Sequence, residues 1–399
     1  MSELTLAGEF PGLTQGDWIK RVEAVLKGAS FDATLVRHTA EAIRLQPLYG
    51  QLQAARAARP LQSAWTLFQR IDHPDPVRAN AQALEDLENG ATGLVLVSDD
   101  TASARGFGLN TARLARVLQG VHLHAVWLRV EGGTSMALAT LIADQPIDPE
   151  RLNISFAATE PADAAELARL GYTGPYMEAD GRSFHEQGAS DAQELGATLA
   201  TAVATLRRLD TLNDMHLVRA VGMTLAAHQD MFATLAKFRA ARLLWARVLD
   251  AAGLPDAPLR LHAETSWRMM AKLDPHTNIL RATAAVFGAG LGGADSITVL
   301  PFSLAQGLPN AFARRVARNL QSVLLEEANL WRVADPASGA GYVETYTQSL
   351  CQAAWTVFRN AESGNWPAPD RASPHGLPVI GTTAYQLKQE YAAEIEAAP

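Results

Sequence analysis

The chain has 399 residues, 48% hydrophobic and 19% charged, which provides for a sizeable core and excludes a disordered chain. A net charge of -8 argues against a nucleic-acid partner, because no basic stripe is available to neutralise phosphates. The single cysteine, Cys351, excludes an internal disulfide and suits a reducing, cytoplasmic setting.

The opening stretch MSELTLAGEFPG has no basic region followed by an apolar core, so no signal peptide is expected. No run of about eighteen apolar residues predicts a membrane span. Residues 1–50 read as an arm. Within it DWIKRVEAVLKG predicts a short amphipathic helix, capped by Asp17, with Trp18, Val22, Val25 and Leu26 on one face and Gly28 at its end. Such a helix needs a surface to cover, on this chain or another.

From about Ala64, β-prone runs alternate with helical patterns. Strands are predicted at Trp65–Arg70, Gly93–Ser98, His122–Val130, Leu152–Ala157, Tyr176–Ala179, Leu259–His262, Ser296–Leu300 and Leu330–Val333. Helical patterns lie between them, and a last one, YVETYTQSLCQAAWTVFRNAE, closes the set. Eight strands in βα units predict a (β/α)8 barrel over residues 51–363, with an open doubly wound sheet as the competitor. Residues 364–399 read as a loop and polar tail.

In such a barrel the active groups lie at the C-terminal strand ends. His262, Glu264, Thr265 and Ser266 crowd one such end and are candidates for a substrate pocket, as are Lys237 and Arg239 with Arg242 in the helical run AKFRAARLLW. The plain alternatives are helix caps for the first set and an inter-helix or solvated cation row for the second. His122 and His124 alternate on one predicted strand, but no third ligand stands nearby and no metal site is expected. GAGLGG, Gly288 to Gly293, matches a dinucleotide fingerprint in letters only. It ends a helix and feeds a strand, the reverse of the order that faces a helix N-terminus to a pyrophosphate. Cys351 sits in an apolar helical stretch and reads as a small buried hydrophobe.

The run DPHTNILRATAAVFGAGLGGADSITVLPFSLAQGLPNAFARRVARNLQSVLLEEANLWRVADPASGAGYVE, with HAETSW before it and FATLAKFRAARLLWARV upstream, strongly resembles the barrel domain of adenosylcobalamin-dependent methylmalonyl-CoA mutases. The likeness covers the chain from about Ala64, and the front arm resembles that of the small subunit in heterodimeric mutases. Where the family's catalytic chain carries Trp-x-Ile-Arg-Gln-Tyr on its first strand, this chain reads Trp65-Thr66-Leu67-Phe68-Gln69-Arg70. A permanent cation replaces an aromatic alcohol. His185 stands where the family's catalytic histidine follows the fifth strand, with the spacing of the small subunit. The stretch supplying the family's substrate-gripping arginine has no match in IADQPIDPERLNISFAATE. Neither Asp214-Met215-His216 nor Asp274-Pro275-His276 continues into the family's cobalt-binding Asp-x-His-x-x-Gly, since Arg219 and Ile279 stand in the glycine place.

The resemblance therefore implies a small, non-catalytic subunit that stabilises a large one. No cofactor is expected on this chain alone. The mutase large subunit, its heterodimer partner, would carry adenosylcobalamin and bind the acyl-CoA, and His185 and Arg70 would be vestigial. Two further readings are an acyl-CoA-binding barrel whose cobalamin domain is a separate chain, with Arg70 gripping a carboxylate, and an assembly or regulatory partner of a mutase.

Overall fold

The computed structural model describes residues 12–52, 57, 59, 63–368, 380, 384–386 and 391–396. The expectations for residues 1–11, and for most of the loop and tail after residue 368, lie outside the described residues. Eight parallel strands carry the fold: β1 Thr66–Ile71, β2 Gly93–Val97, β3 Trp127–Glu131, β4 Ile154–Ser155, β5 Met177–Asp180, β6 Val221–Ala227, β7 Arg260–Thr265 and β8 Ser296–Thr298. They are laddered in the order β4-β3-β2-β1-β8-β7-β6-β5. The seam between β4 and β5 is bridged by backbone hydrogen bonds from Phe156 N to Pro175 O (2.9 Å) and from Ala158 N to Tyr176 O (3.0 Å). The sheet thus nearly closes on itself, and the architecture is the predicted (β/α)8 barrel rather than an open sheet.

The principal helices are α1 Gln15–Leu26 in the arm, α2 Pro76–Glu88, α3 Ser135–Ala143, α4 Pro161–Arg169, α5 Asp191–Arg208, α6 Met231–Ala252, α7 Thr277–Leu291, α8 Ala311–Ser322 and α9 Gly341–Glu362. Short side-chain acceptors start them. Asp75 takes the amides of Val77 and Arg78 ahead of Pro76, Ser190 and Gln193 form a capping box, and Asp230 and Asn310 accept from the third residue onward. β2 and β6 are buried at every position because both of their faces are packed. Leu94, Leu96, Leu128, Val130, Met223, Leu225, Leu261 and Ile297 point outward into the main core under the helices. Phe68, Val95 and Val97 form a separate small cluster with Trp127 on the inner face.

Several expected elements differ. The eighth strand is β6, which the sequence reading passed over. Leu330–Val333 is not a strand but lies in turns after a π-helical stretch, Val323–Glu327, that ends the α8 run. His122 precedes the 3-10 turn Leu123–Ala125 ahead of β3 and His124 lies within it, both exposed, so they share no strand face. β7 extends to Thr265, which puts His262 and Glu264 inside the barrel wall rather than beyond it. The cap of α1 is Thr14, with Asp17 as the reciprocal partner three residues on. No residue of α1 is buried, and Trp18 meets Phe31 edge-on at 6.1 Å. The arm's small ladder, Arg37–His38 with Arg44–Leu45, is seated by Glu41, which accepts from Ala192 N at the start of α5 (3.1 Å).

The helices α5 and α9 meet through Gly196. A Cβ there would lie 2.5 Å from Ala354 O and 2.6 Å from Val357 Cβ. Gly196→Val is expected to cost about 1–3 kcal/mol by overpacking. The urea midpoint measures it, and an unchanged midpoint would show that the two helices do not approach in this way.

Candidate functional site

Side chains alternate along a strand, so residues two apart share the barrel interior. On β1 these are Phe68 and Arg70, on β3 Trp127, Arg129 and Glu131, on β5 Glu178 and Asp180, on β7 His262 and Glu264. Room is made at two glycines. A Cβ at Gly93 would meet the Phe68 ring at 2.4 Å, and one at Gly222 would meet a Glu178 oxygen at 2.7 Å. Phe68 stands edge-on to His262, with ring centroids 5.6 Å apart.

Above that level the axis is filled by ion pairs. Arg70 Nε donates to Asp72 (2.6 Å), its Nη2 donates to the Ser103 carbonyl, and its Nη1 lies 3.8 Å from Glu264. Arg182 reaches Glu131 (3.0 Å), Glu264 (2.9 Å) and Asp180 (2.7 Å). Arg129 reaches Glu178 (3.2 Å) and Glu131 (3.3 Å) and donates to the Thr224 hydroxyl (2.6 Å). Arg105, from the loop after β2, reaches Glu264 (3.1 Å) and Glu186 (2.9 Å) and lies over the Trp267 ring. Arg70, Arg129, Arg182, Asp72, Glu131 and Glu264 are each no more than 5% exposed. Burial pushes the Glu131 carboxyl up, but Arg182, Arg129, Arg70 and the Ser103 hydroxyl outweigh it and hold the group well below its usual range. The His262 imidazole is driven the other way, well below its ordinary value, by burial and by Arg129 and Arg182. It is neutral and hydrogen-bonded to the hydroxyls of Ser296 (2.8 Å) and Thr298 (3.2 Å).

A second cluster lies beside the axis. His185, on the short helix Arg182–Glu186, places Nε2 2.7 Å from Ser266 Oγ and Nδ1 3.2 Å from Glu194. Burial pushes its pKa down to about 4 against the pull of Glu194. Glu194 also accepts from Ala226 N (2.7 Å) and from Lys237 Nζ (2.7 Å), and Lys237 reaches Asp191 (2.7 Å), which pairs with His228 (3.0 Å). His185, Asp191 and Glu194 have metal-ligand spacing. The Lys237 ammonium already stands between the two carboxylates.

The proposed pocket residues thus divide. His262 and Glu264 belong to the axis. Ser266 and Lys237 belong to the His185 cluster. Thr265 points outward and accepts from Leu300 N (2.8 Å). Arg239 is remote from both, buried in the helical layer against Asp335 and Glu344, and Arg242 holds Gly293 O and Asp295. The row is an inter-helix one and is not solvated. Cys351 is half-buried, and burial pushes its thiol up to about 12. Arg105, Arg129, Arg182 and Glu178 were not singled out from sequence. The signal for Arg129 and Glu131 was present in WLRVE as charges at alternate positions of an apolar strand.

The imidazoles of the two Asp-x-His triplets lie apart from both clusters, each against an aromatic side chain. His216 lies 2.8 Å from the Tyr176 hydroxyl, and His276 packs on Phe302 at 5.2 Å. Among the described residues no helix is long and apolar enough to cross a membrane.

A barrel whose C-terminal mouth carries charged and histidine side chains belongs by architecture to the enzyme-bearing (β/α)8 class. The family model for methylmalonyl-CoA mutase matches residues 176–366. The methylmalonyl-CoA mutase small subunit of Streptomyces virginiae is 39% identical over 90% of this chain and 65% of its own length. That of Propionibacterium freudenreichii subsp. shermanii is 35% identical over 90% and 63%. The methylmalonyl-CoA mutase of Cereibacter sphaeroides is 28% identical over 87% and 58%. The chain is thus similar to methylmalonyl-CoA mutase small subunits over most of its own length. It spans somewhat less than two thirds of the length of these relatives.

Two predictions test the site's electrostatics. Glu264→Ala leaves Arg70, Arg105 and Arg182 short of a shared partner and is expected to cost about 3–5 kcal/mol by chemical denaturation. A loss below about 1 kcal/mol would mean that water reaches the axis. The depressed pKa of His185 sets a pH window. Between pH 6.5 and about 4 the unfolded chain binds the proton and the folded chain does not, so stability falls as pH drops through that range. The full term is on the order of 3 kcal/mol. His262 acts with the same sign, so His185→Gln should lower the slope in this window without abolishing it, and an unaltered slope would contradict the neutral, buried imidazole.

Proposed function

We propose that this chain is the small, non-catalytic subunit of an adenosylcobalamin-dependent methylmalonyl-CoA mutase. A large subunit, its heterodimer partner in the cytoplasm, carries the cobalamin, binds the CoA ester and interconverts methylmalonyl-CoA and succinyl-CoA. The observation that carries the reading is the ion-paired axis. Arg70, Arg129, Arg182, Glu131 and Glu264 are buried and paired with one another or with neighbouring acids, so these charges are already committed within the barrel rather than offered to a substrate. The small-subunit names of the Streptomyces virginiae and Propionibacterium freudenreichii relatives support the same reading, and so do Arg219 and Ile279 in the glycine place of the two Asp-x-His triplets.

The chain's own work is mechanical. A rigid barrel that binds only the folded partner stabilises it by mass action. The arm is the candidate contact, because Leu13, Ile19 and Val25 stand exposed on and beside α1. Substrate chemistry is left to the partner, since His185 is neutral, sealed and spoken for by Ser266 and Glu194.

Three linked outcomes are expected. Purified alone, the chain gives no turnover of methylmalonyl-CoA with excess adenosylcobalamin. Co-expressed with a large subunit, it co-purifies at one to one. Arg70→Tyr leaves the isolated chain inactive, because the phenol would meet an unpaired Asp72 among charges that remain paired with one another. Turnover by the isolated wild-type chain, or its recovery in the variant, would overturn the proposal.

A further inference from the structure

The segment Tyr391–Glu396 lies across the loops that follow β7, β8 and β1, three consecutive staves of the barrel. At the β7 loop, Tyr391 N donates to Leu273 O (3.2 Å). At the β8 loop, the Gln306 side-chain amide donates to Tyr391 O (2.7 Å) and accepts from Ala393 N (2.7 Å). Ile395 bridges to Pro309 in antiparallel fashion, and Glu396 N donates to Leu308 O (2.8 Å). Gly307 leaves room for this crossing, since a Cβ there would lie 2.7 Å from Ile395 Cδ1.

At the β1 loop and the helix α2 that follows it, the contact is ionic. Glu396 Oε1 accepts from Arg78 Nε (2.8 Å) and Nη2, its Oε2 accepts from the Gln82 amide (3.2 Å), and His73 Nε2 lies 3.5 Å away. His73 is buried, and its Nδ1 accepts from Asp75 N (3.0 Å), which leaves the proton on Nε2 facing the carboxylate. Asp72, the neighbour of His73, is the carboxylate that holds Arg70. The crossing segment is therefore joined through two adjacent residues to the ion pairs on the axis.

We infer that residues 391–396 are a latch that ties the β7 and β8 loops to the β1 loop and the start of α2, with Glu396 as its closing contact. A carboxylate gripped by an arginine, an amide and an imidazole is a directional contact. It is also separable from the fold, because the barrel ladders and the helical core do not pass through it.

Hydrogen exchange of the full-length chain tests the latch. In Glu396→Ala, exchange at residues 73–79 and 304–308 should rise about tenfold or more, while β2 and β6 keep their protection, the signature of a local opening. Gly307→Val displaces Ile395 from the other side and should open the same two loops. Exchange in those loops that stays unchanged in both variants overturns the latch. A uniform rise across all strands, or failure of both variants to fold, also overturns it, because the segment would then be part of the barrel's stability and not a clamp upon it.

Discussion

The pairing of Arg70, Arg105, Arg129 and Arg182 with Asp72, Glu131, Glu178 and Glu264 is the constraint on which the interior depends. A buried charge is tolerable only when its partner is close and its remaining donors are used. That condition propagates outward. Arg70 needs the Ser103 carbonyl, so the loop after β2 must fold in. Arg129 needs the Thr224 hydroxyl, so β6 must present a threonine to the axis. Glu178 needs Gly222 beside it. The usual branched aliphatic layers of such a barrel impose shape alone. This one imposes shape and charge register together.

The helical layer repeats the device on a smaller scale. Gln69, facing out of β1, bonds Asp86 on α2, and Asp86 takes Arg314 and Arg318 of α8. Lys237 joins α6 to α5, and Arg239 joins α6 to α9. These groups fix how helices sit on the barrel, whereas the apolar core under them supplies the bulk of the driving force. Replacing such pairs with apolar groups of similar volume is often neutral or stabilising, so their value here lies in orientation.

Fold class was legible in the sequence because parallel strands and their helices alternate with a clear period. The wrong strand was instructive. VGMTLAA is a fully buried strand between the short helix Asp214–Leu217 and the long α6, with a glycine and two alanines that dilute its β-signal, while LWRV carries a strand-like composition in a segment that the structure folds into turns. The site was half legible. His262 and Glu264 stood out because polar residues follow an apolar start in RLHAET, yet their role depends on partners on β1, β3 and β5 and on the loop after β2. Periodicity puts Arg129 and Glu131 on one face of a strand, but only the closed barrel brings Arg182 and Glu264 to meet them.

The arrangement at His185 shows why geometry alone does not make a catalyst. Ser266, His185 and Glu194 have the order and spacing of nucleophile, base and orienting carboxylate. A useful base must titrate near the working pH and face a substrate. Burial drives this imidazole to about 4, and Lys237 neutralises the carboxylate that would raise it. Ser266 and His185 are no more than 2% exposed. On the proposed reading the cluster is chemically idle, and its burial makes it a rigid joint between the end of β7, the helix Arg182–Glu186 and α5. On the proposed reading, a subunit that no longer turns over substrate has no need of an open, strained pocket, and the groups left at the mouth are free to serve the barrel's shape.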